Sequence, residues 1–392
     1  MANEKIQAII LAAGKSTRFN TGRSKLTERI CGKEMIIHTT RILEQLHIPT
    51  TLVVGYKKEL VQKTIAQHHP NTPFTFVEQT QQLGTGHALA CSKQFWGREH
   101  ILVLNGDTPL LTTQLIQNLI DAHVSAQATL SFVVARDIDP SVRGYGHVIQ
   151  ENNRIRIVED RHMNHNQLNL SDLNAGIYLF QKEFLLNHIE TLPRHEVSGE
   201  FYLTTLIEIA SNNTLRVCTV DAAFDTVRGV NTLKELWVAE HLKRSQLIEY
   251  WMNQGVRFST PQTVNIDEEV TIGHGSHIGS NAQLFGKTTI GDHSLVAAFT
   301  VLENANIGNN TTVQSHSIIK ESTVGNNCTI NSFTYVHENS SIHDNCTLES
   351  FTELKNQIVK TTAPEKIVSK KKDKTFVAAF KTAADNTFAE SA

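Results

Sequence analysis

The chain has 392 residues, 40% hydrophobic and 19% charged, with 36 Lys and Arg against 39 Asp and Glu and a net charge of −3. Such length predicts two domains with large cores, and the near balance of charge excludes a dedicated nucleic-acid binder or a membrane-surface protein. Cys31, Cys91, Cys218, Cys328 and Cys346 are odd in number and form no CxxC, which predicts free thiols in a reducing, cytoplasmic compartment. The apolar run before Gly14 is too short for a signal segment or a membrane span, so it is read as a buried strand.

The first half alternates strand and helix patterns. Strands are predicted at Gln7–Ala12, Thr51–Tyr56, Phe74–Glu78, Ile101–Asn105 and Ala128–Ala135. Helices are predicted at Ile36–Gln45, Lys58–Ala66, His87–Lys93 and Thr112–Ala122. Short links in a β-α-β order imply a mostly parallel, three-layer sheet, with ligand sites in the loops after the strands.

Three of those loops carry candidate chemistry. Leu11-Ala12-Ala13-Gly14-Lys15-Ser16-Thr17-Arg18 ends like a phosphate-binding P-loop, but Ile9 stands where that motif needs Gly. What remains is a loop of tiny side chains on which a base or phosphate can lie. Lys15, Arg18, Arg23 and Lys25 add positive charge for an incoming triphosphate. Gln79 to His87 contains Gly84-Thr85-Gly86, yet Leu89 denies it the dinucleotide fingerprint. Its glycines permit close backbone approach, while Gln79 and Gln82 can each donate and accept to a base edge. Asn105-Gly106-Asp107 closes an apolar strand and puts a carboxylate where Mg²⁺ could bridge phosphate oxygens. Helix capping by Asp107 fits poorly, because Pro109 and two leucines precede the next helix.

Leu233–Asn253 has helical spacing and is read as a connecting helix. From Val264 an aliphatic residue recurs every six positions, at Ile266, Ile272, Ile278, Leu284, Ile290, Val296 and Leu302. After a one-residue slip it continues at Ile307, Val313 and Ile319, and after a second at Val324, Ile330, Val336, Ile342, Leu348 and Leu354. No α-helix has that period. A parallel β-helix of hexapeptide repeats does, each hexad forming one flat side of a triangular coil with its aliphatic residue on the axis. Gly follows the aliphatic position at Gly273, Gly279, Gly291, Gly308 and Gly325. His68-His69, His162/His165 and His274/His277 lack a third ligand at metal spacing and are read as exposed turns. The tail's five Lys in Lys366–Lys374 are read as a solvated segment. The boundaries expected are a catalytic domain 1–232, connector 233–260, β-helix 261–359 and tail 360–392.

The stretches LAAGKSTR, Lys25, QLGTGHA, LNGDTPL, GYGHVI, VED, NAGIY, GEFYLT and GVN occur in an order and spacing similar to the bacterial bifunctional N-acetylglucosamine-1-phosphate uridyltransferase/glucosamine-1-phosphate acetyltransferase family. The resemblance covers residues 6 to about 358, nearly the whole chain. It implies an α/β fold: a three-layer Rossmann-like nucleotidyltransferase domain followed by a left-handed parallel β-helix, assembling as a homotrimer. It implies that UTP and N-acetylglucosamine-1-phosphate give the UDP-sugar and pyrophosphate. Leu11, Ala12, Ala13, Gly14, Gln79, Gly84, Thr85, Asn105 and Gly106 would hold the nucleotide. Arg18 and Lys25 would neutralise the triphosphate, Asp107 and Asn231 would hold Mg²⁺, and Gly146, Glu159 and Asn174 would contact the sugar.

Departures from the family pattern are Ser16 for Gly, Arg23-Ser24-Lys25 for Leu-Pro-Lys, Asn105 for Tyr, Ala175 for Thr and Thr205 for Asp. In the second domain Tyr335 replaces an expected Arg, although Lys355 matches a later Lys. The hexads end near Leu354, before the acetyl-transfer His of the family, so no acetyltransferase activity is expected. The rival readings are a nucleotidyltransferase for another sugar phosphate and a non-catalytic trimeric scaffold. Retention of Arg18, Lys25, Asp107 and Asn231 together argues against the scaffold.

Overall fold

A computed structural model describes residues 3–19, 22–136, 144–152, 154–159 and 172–360. His162, His165 and the lysine-rich tail lie outside these residues. The chain divides into two compact units, Met1–Arg244 and the remainder from Ser245. Helix Leu233–Asn253 runs across that division.

In the first unit, in chain order, the elements include β1 (Ile6–Ala12), α1 (Met35–Gln45), β2 (Thr50–Val54), α2 (Lys58–His68), β3 (Thr75–Glu78), α3 (Thr85–Cys91), β4 (His100–Asn105), α4 (Thr113–Ser125), β5 (Leu130–Arg136), β6 (Gly146–Glu151), β7 (Arg154–Glu159), β8 (Leu173–Gln181) and β9 (Val217–Ala223). The sheet order is β9-β5-β8-β4-β1-β2-β3. β1 pairs parallel with β2 and β4, β2 with β3, and β5 with β9. β8 departs from the parallel expectation, running antiparallel to both β4 and β5. The reason is topological. A helical crossover returns the chain in the same direction, whereas β8 is laid down against the β6–β7 hairpin, with Leu173 opposite His147.

The apolar runs explain the centre of this sheet. β1 shows Ile6, Ala8, Ile9 and Ile10 fully buried, and β4 does the same with Ile101 to Leu104. Residues of both strands divide between two cores, one on each face, as a sheet covered on both sides requires. α4 starts where Thr112 caps it, its hydroxyl accepting from the Leu115 amide at 3.2 Å.

Two histidines read as exposed turns are instead structural. His69 is 4% exposed and bonded to Thr40 Oγ1 at 2.8 Å and Glu44 at 2.9 Å. His68 closes α2 against Glu34 at 2.8 Å. Their polar helix-end setting looked solvent-facing in sequence, but α1 packs on α2 there, and Glu44 of α1 with Glu34 just before it supplies the carboxylates.

A second histidine pair, buried His123 and half-buried His100, joins α4 to the sheet. His123 lies 3.1 Å from His100 and 2.8 Å from Ser131 Oγ. Burial, with the adjacent His100 adding, pulls His123 down to about 4. A histidine neutral in the fold but free to ionise when unfolded binds more protons in the unfolded state. Its contribution is therefore complete above about 6.5 and is lost as pH falls toward 4, by about 2–3 kcal/mol. Urea unfolding at pH 7 and pH 4.5 should show that loss, and His123→Gln should flatten it; an unchanged pH dependence in the variant would remove His123 from the account.

The second unit is a left-handed parallel β-helix of three six-stranded sheets. All sixteen predicted axial aliphatics are buried, from Ile266 at 2% to Leu354 at 4%. The two slips have a structural cause. Leu284 pairs with Leu302 (302 − 284 = 18) and Leu302 with Ile319 (319 − 302 = 17). One residue comes out of each of two turns, the first between Val301–Glu303 and Asn306–Ile307 and the second between Ile318–Lys320 and Thr323–Val324, so Ile290, Ile307 and Val324 still stack in register. The glycines after the aliphatic position answer to close stacking: a Cβ at Gly308 would stand 2.6 Å from the backbone carbon of Gly325 one coil on.

Between the coils, Ser276, Ser294, Thr311, Cys328 and Cys346 form a buried column whose side chains bond backbone carbonyls of the following coil. At one corner Phe299, His316 and Phe333 stack with centroids 5.0–5.1 Å apart, and Phe351 continues the stack at 5.1 Å. His277 bonds Ser259 at 2.8 Å, and His274 meets His293 edge-on.

Candidate nucleotide site at the strand ends

The carboxyl ends of β1, β2, β3 and β4 gather the predicted loops. The Gly106 amide donates to Leu11 O at 3.0 Å. Ala13 O accepts from the Tyr56 amide at 3.4 Å and from Gln82 Nε2 at 2.8 Å. Gln82, expected to read a base, therefore ties the third strand's loop to the first. The carbonyls of Leu11 and Ala13 hold loops together, with Ala12 as the last residue of β1. Gly14 has nothing within 4 Å of the place a Cβ would take, so a flat group has room against the backbone there.

The cation cluster is the most compact part of the site. Lys25 Nζ donates to Asp107 Oδ2 and, at 2.7 Å, to Asn231 Oδ1. The side chains of Lys25 and Asp107 are 13% and 18% exposed, so the pair is shielded without being sealed. The Lys25 amide bonds Ser16 Oγ at 3.2 Å, which anchors the basic loop to its own start. Asp107 is held through its carbonyl, which accepts from the Val230 amide at 2.9 Å.

Asn231 is set by a capping box that precedes helix Leu233–Asn253. Glu235 Oε2 accepts from the Asn231 amide at 2.7 Å and from Thr232 Oγ1 at 3.1 Å, and the Glu235 amide returns to Thr232 Oγ1 at 3.2 Å. Thus a helix-start signal legible in sequence, Thr232-x-x-Glu235, aims a residue of the site. Glu235 was overlooked as a site residue, although this spacing could have revealed it.

Two hard oxygen donors, the Asp107 carboxylate and the Asn231 amide, converge on one cation. That donor set fits Mg²⁺, which takes one or two protein oxygens and completes its shell with water and phosphate. Among the described residues no group of three His, Cys, Asp or Glu could hold a metal.

Tyr145 links this cluster to the expected sugar residues, and sequence reasoning gave it no role. Its Oη accepts from the Gly229 amide at 2.9 Å. Burial pushes its phenol up to about 12, with Glu235 and Asp107 adding to the rise against the Gly229 bond. It stays protonated at neutral pH. The next residue, Gly146, pairs across the hairpin with Glu159, whose Oε1 would lie 3.5 Å from a Cβ at Gly146. Asn174 follows Leu173, the partner of His147, and its Nδ2 donates to Tyr178 Oη at 2.7 Å. Gly146, Glu159 and Asn174 are therefore contiguous. Asn105 packs on Gly176, where an added Cβ would strike its Nδ2. Arg18 is exposed, with its Nη1 3.9 Å from the Cβ position of Gly144, at the rim of the same region.

The base loop is built from two distant stretches. The Gly86 amide donates to Phe201 O and the Phe201 amide to Leu83 O, both at 2.8 Å, and the Leu203 amide donates to Thr85 Oγ1 at 3.1 Å. Thr85 thereby spends its hydroxyl on this seam. Gly84 has φ +100°, and a Cβ there would stand 2.7 Å from Phe201 O. Gly84→Ala should cost about 2–3 kcal/mol from backbone strain and weaken nucleotide binding; urea unfolding with a nucleotide titration checks both, and a variant of unchanged stability would refute the strained seam.

Comparisons with known proteins place the chain among nucleotidyltransferases. Residues 8–167 match the model of a MobA-like NTP transferase domain, and residues 260–376 that of a GMPPB C-terminal domain. The chain is 34% identical over 288 residues to the bifunctional protein GlmU of Clostridium botulinum strain 657, covering 72% of this chain and 62% of that protein. It is 33% identical over 310 residues to GlmU of Enterococcus faecalis, covering 77% and 66%. The chain thus spans less than two thirds of the length of the curated relatives it matches. A Bacillus anthracis structure described as a glucose-1-phosphate thymidylyltransferase with sucrose shares the fold, with TM-score 0.50 and 20% identity over 61% of this chain and 95% of that one.

Proposed function

The chain belongs, over the stretch it shares with them, to the family of the bifunctional GlmU proteins, and from that premise we propose that it is a sugar-1-phosphate nucleotidyltransferase that joins UTP and N-acetylglucosamine-1-phosphate into UDP-N-acetylglucosamine and pyrophosphate. The observation that carries the reading is the meeting of Lys25, Asp107 and Asn231, three residues from distant loops, on one another at the mouth of the sheet.

In this reading a phosphate oxygen of the sugar phosphate attacks the α-phosphorus of the nucleotide in line, and the bond to the departing pyrophosphate breaks. Phosphate is already an attacking anion, so no protein nucleophile is required. Catalysis is positioning and charge neutralisation. Mg²⁺ held by Asp107 and Asn231 would draw phosphate oxygens together and offset their charge. Lys25 would turn its ammonium onto the triphosphate, and Arg18 at the rim would neutralise the leaving group. Gln79, Gly84 and Thr85, with Asn105-Gly106 and Leu11 to Gly14, would hold the nucleotide. Gly146, Glu159 and Asn174 would line the sugar side, with Tyr145 keeping their strand against the Gly229–Asn231 loop.

The β-helix unit is read as a trimerising element without acetyl transfer. Tyr335 stands where the resemblance expects Arg, and its ring stacks on His337 at 3.8 Å, with His337 bonded to Glu353 at 2.9 Å. An expected guanidinium is replaced by a phenol already stacked on a neighbouring ring.

Pyrophosphate release should be measured with each of four NTPs and Mg²⁺ across a panel of sugar-1-phosphates, with acetyl-coenzyme A and glucosamine-1-phosphate assayed beside them. UTP with N-acetylglucosamine-1-phosphate should be the preferred pair and no free coenzyme A should appear. A different preferred sugar would keep the reaction class and replace the substrate. No release with any pair from folded protein would favour a nucleotide-sugar-binding scaffold.

A further inference from the structure

Gln79 is 4% exposed, and its backbone amide is anchored to Val54 O at 2.8 Å. Its side-chain nitrogen Nε2 donates to Gly84 O at 3.1 Å and lies 3.0 Å from His87 Nδ1. A carbonyl oxygen only accepts, so the amide can face Gly84 only with its NH₂ group. The second N–H then falls on His87 Nδ1, which must accept and so carries its proton on Nε2. That Nε2 sits 3.9 Å from Cys91 Sγ, one turn further along α3, a soft acceptor for the remaining N–H. Burial raises the Cys91 thiol, keeping it neutral. Gly84 lies between Leu83 and Gly86, both bonded to Phe201, and its carbonyl also accepts from the Ala88 amide at 3.1 Å, so that carbonyl is a rigid reference. With both amide hydrogens committed, what Gln79 has left to offer is its oxygen, Oε1.

We propose that His87 is a positioning residue that sets base specificity: it locks the Gln79 amide so that it presents an acceptor alone, and so selects nucleobases carrying a ring N–H on their pairing edge over those with an unprotonated ring nitrogen there. The inference rests on the reading of Gln79 as a contact to the base. Uracil, thymine and guanine have such an N–H; cytosine and adenine present a lone pair. An unlocked amide could turn over and serve either kind. In this protein the flip would set Oε1 against both Gly84 O and the lone pair of Nδ1. Cytosine would therefore meet an acceptor facing an acceptor, a mismatch expected to cost roughly 10- to 100-fold in affinity. Uracil and cytosine are nearly the same size, so this pair isolates the effect from pocket volume.

The test is equilibrium binding of UTP and CTP, each with Mg²⁺, to the full chain and to His87→Asn and His87→Gln. Asn places an amide oxygen close to the position of Nδ1 and can accept as the imidazole does. Gln reaches instead toward the position of Nε2 and leaves the Gln79 N–H without its partner. Wild type and His87→Asn should favour UTP by roughly 10- to 100-fold, and in His87→Gln the ratio should fall at least several-fold. Nitrogen NMR of His87 should show an unprotonated Nδ1 in the wild type. An unchanged UTP/CTP ratio in folded His87→Gln, or a protonated Nδ1, overturns the lock while UTP binding leaves the nucleotide site standing. A wild type that binds neither nucleotide overturns the reading of the site and the lock with it.

Discussion

Asp107→Ala lowers the kcat/KM of pyrophosphate release by about 10³-fold while leaving the fold intact; this is the largest catalytic effect expected of any single change in the site. The residue supplies the charged one of the two oxygen donors that converge on Lys25. Without it Asn231 offers a neutral oxygen, too weak by itself to hold a divalent ion against water. The negative charge that builds on the phosphate oxygens in the transition state then loses its strongest counter-charge, and removal of one such stabilising group costs 10²–10³ or more. The loss should be mostly in kcat, because charge development belongs to the transition state rather than to bound substrate.

The fold should survive because Asp107 is tied to Val230 through its backbone carbonyl, which the substitution keeps. Circular dichroism and the unfolding midpoint check this. Lys25→Ala should cost about 10²-fold, and the double variant less than the product of the two, because both act on one charge cluster. Activity within a few-fold of wild type in Asp107→Ala would place the metal ligand elsewhere.

The second large effect concerns the β-helix. Ile319→Asp should destabilise that unit by about 5 kcal/mol or more, in the range reserved for an unpaired buried charge. Ile319 is 0% exposed and stacked between Leu302 and Val336 on the axis of the prism. Each coil contacts only its neighbours, so a defect there weakens the coils above and below it first. Hydrogen exchange resolved along the chain should show protection lost around residues 300–340. Ile319→Val, which keeps the axis dry and filled, should cost only about 1 kcal/mol. Equal protection in wild type and Ile319→Asp would mean that the axis admits water and is not close-packed.

Much of this was readable in the chain. The period of six placed sixteen axial aliphatics of the β-helix, because a stack of identical coils imposes one environment on one position in six and only an apolar side chain suits the axis. It stopped at Leu354 and missed Val359, five positions on, which stacks on Ile342 where the turn is one residue short. The apolar runs of β1 and β4 and the helical spacing of Leu233–Asn253 were similarly direct, since burial on both faces or on one stripe leaves a local mark. The candidate loops were chosen by the same logic: strand ends in such a sheet expose small, polar and charged residues together.

Other features had no local mark. Tyr145 reads as one aromatic among several until the Gly229 amide is brought to its hydroxyl. His87 reads as a helix residue until β3 sets Gln79 beside it. His69 reads as a polar helix end until α1 lends Glu44. The reversal of β8 depends on the hairpin it meets, not on its own residues. The amino-acid sequence by itself thus determined the strands and helices up to β5, the connecting helix and the repeat, and which side chains could carry charge to a phosphate, because those follow from period and chemical type, whereas β6 to β9 left no such local mark. The tertiary structure alone decided that Lys25 sits on Asp107 and Asn231, that Gln82 braces a loop, and that the Gln79 amide is locked. Each of those depends on the hydrogen-bonding partner that folding delivers from far along the chain, and a donor's role is set by its acceptor.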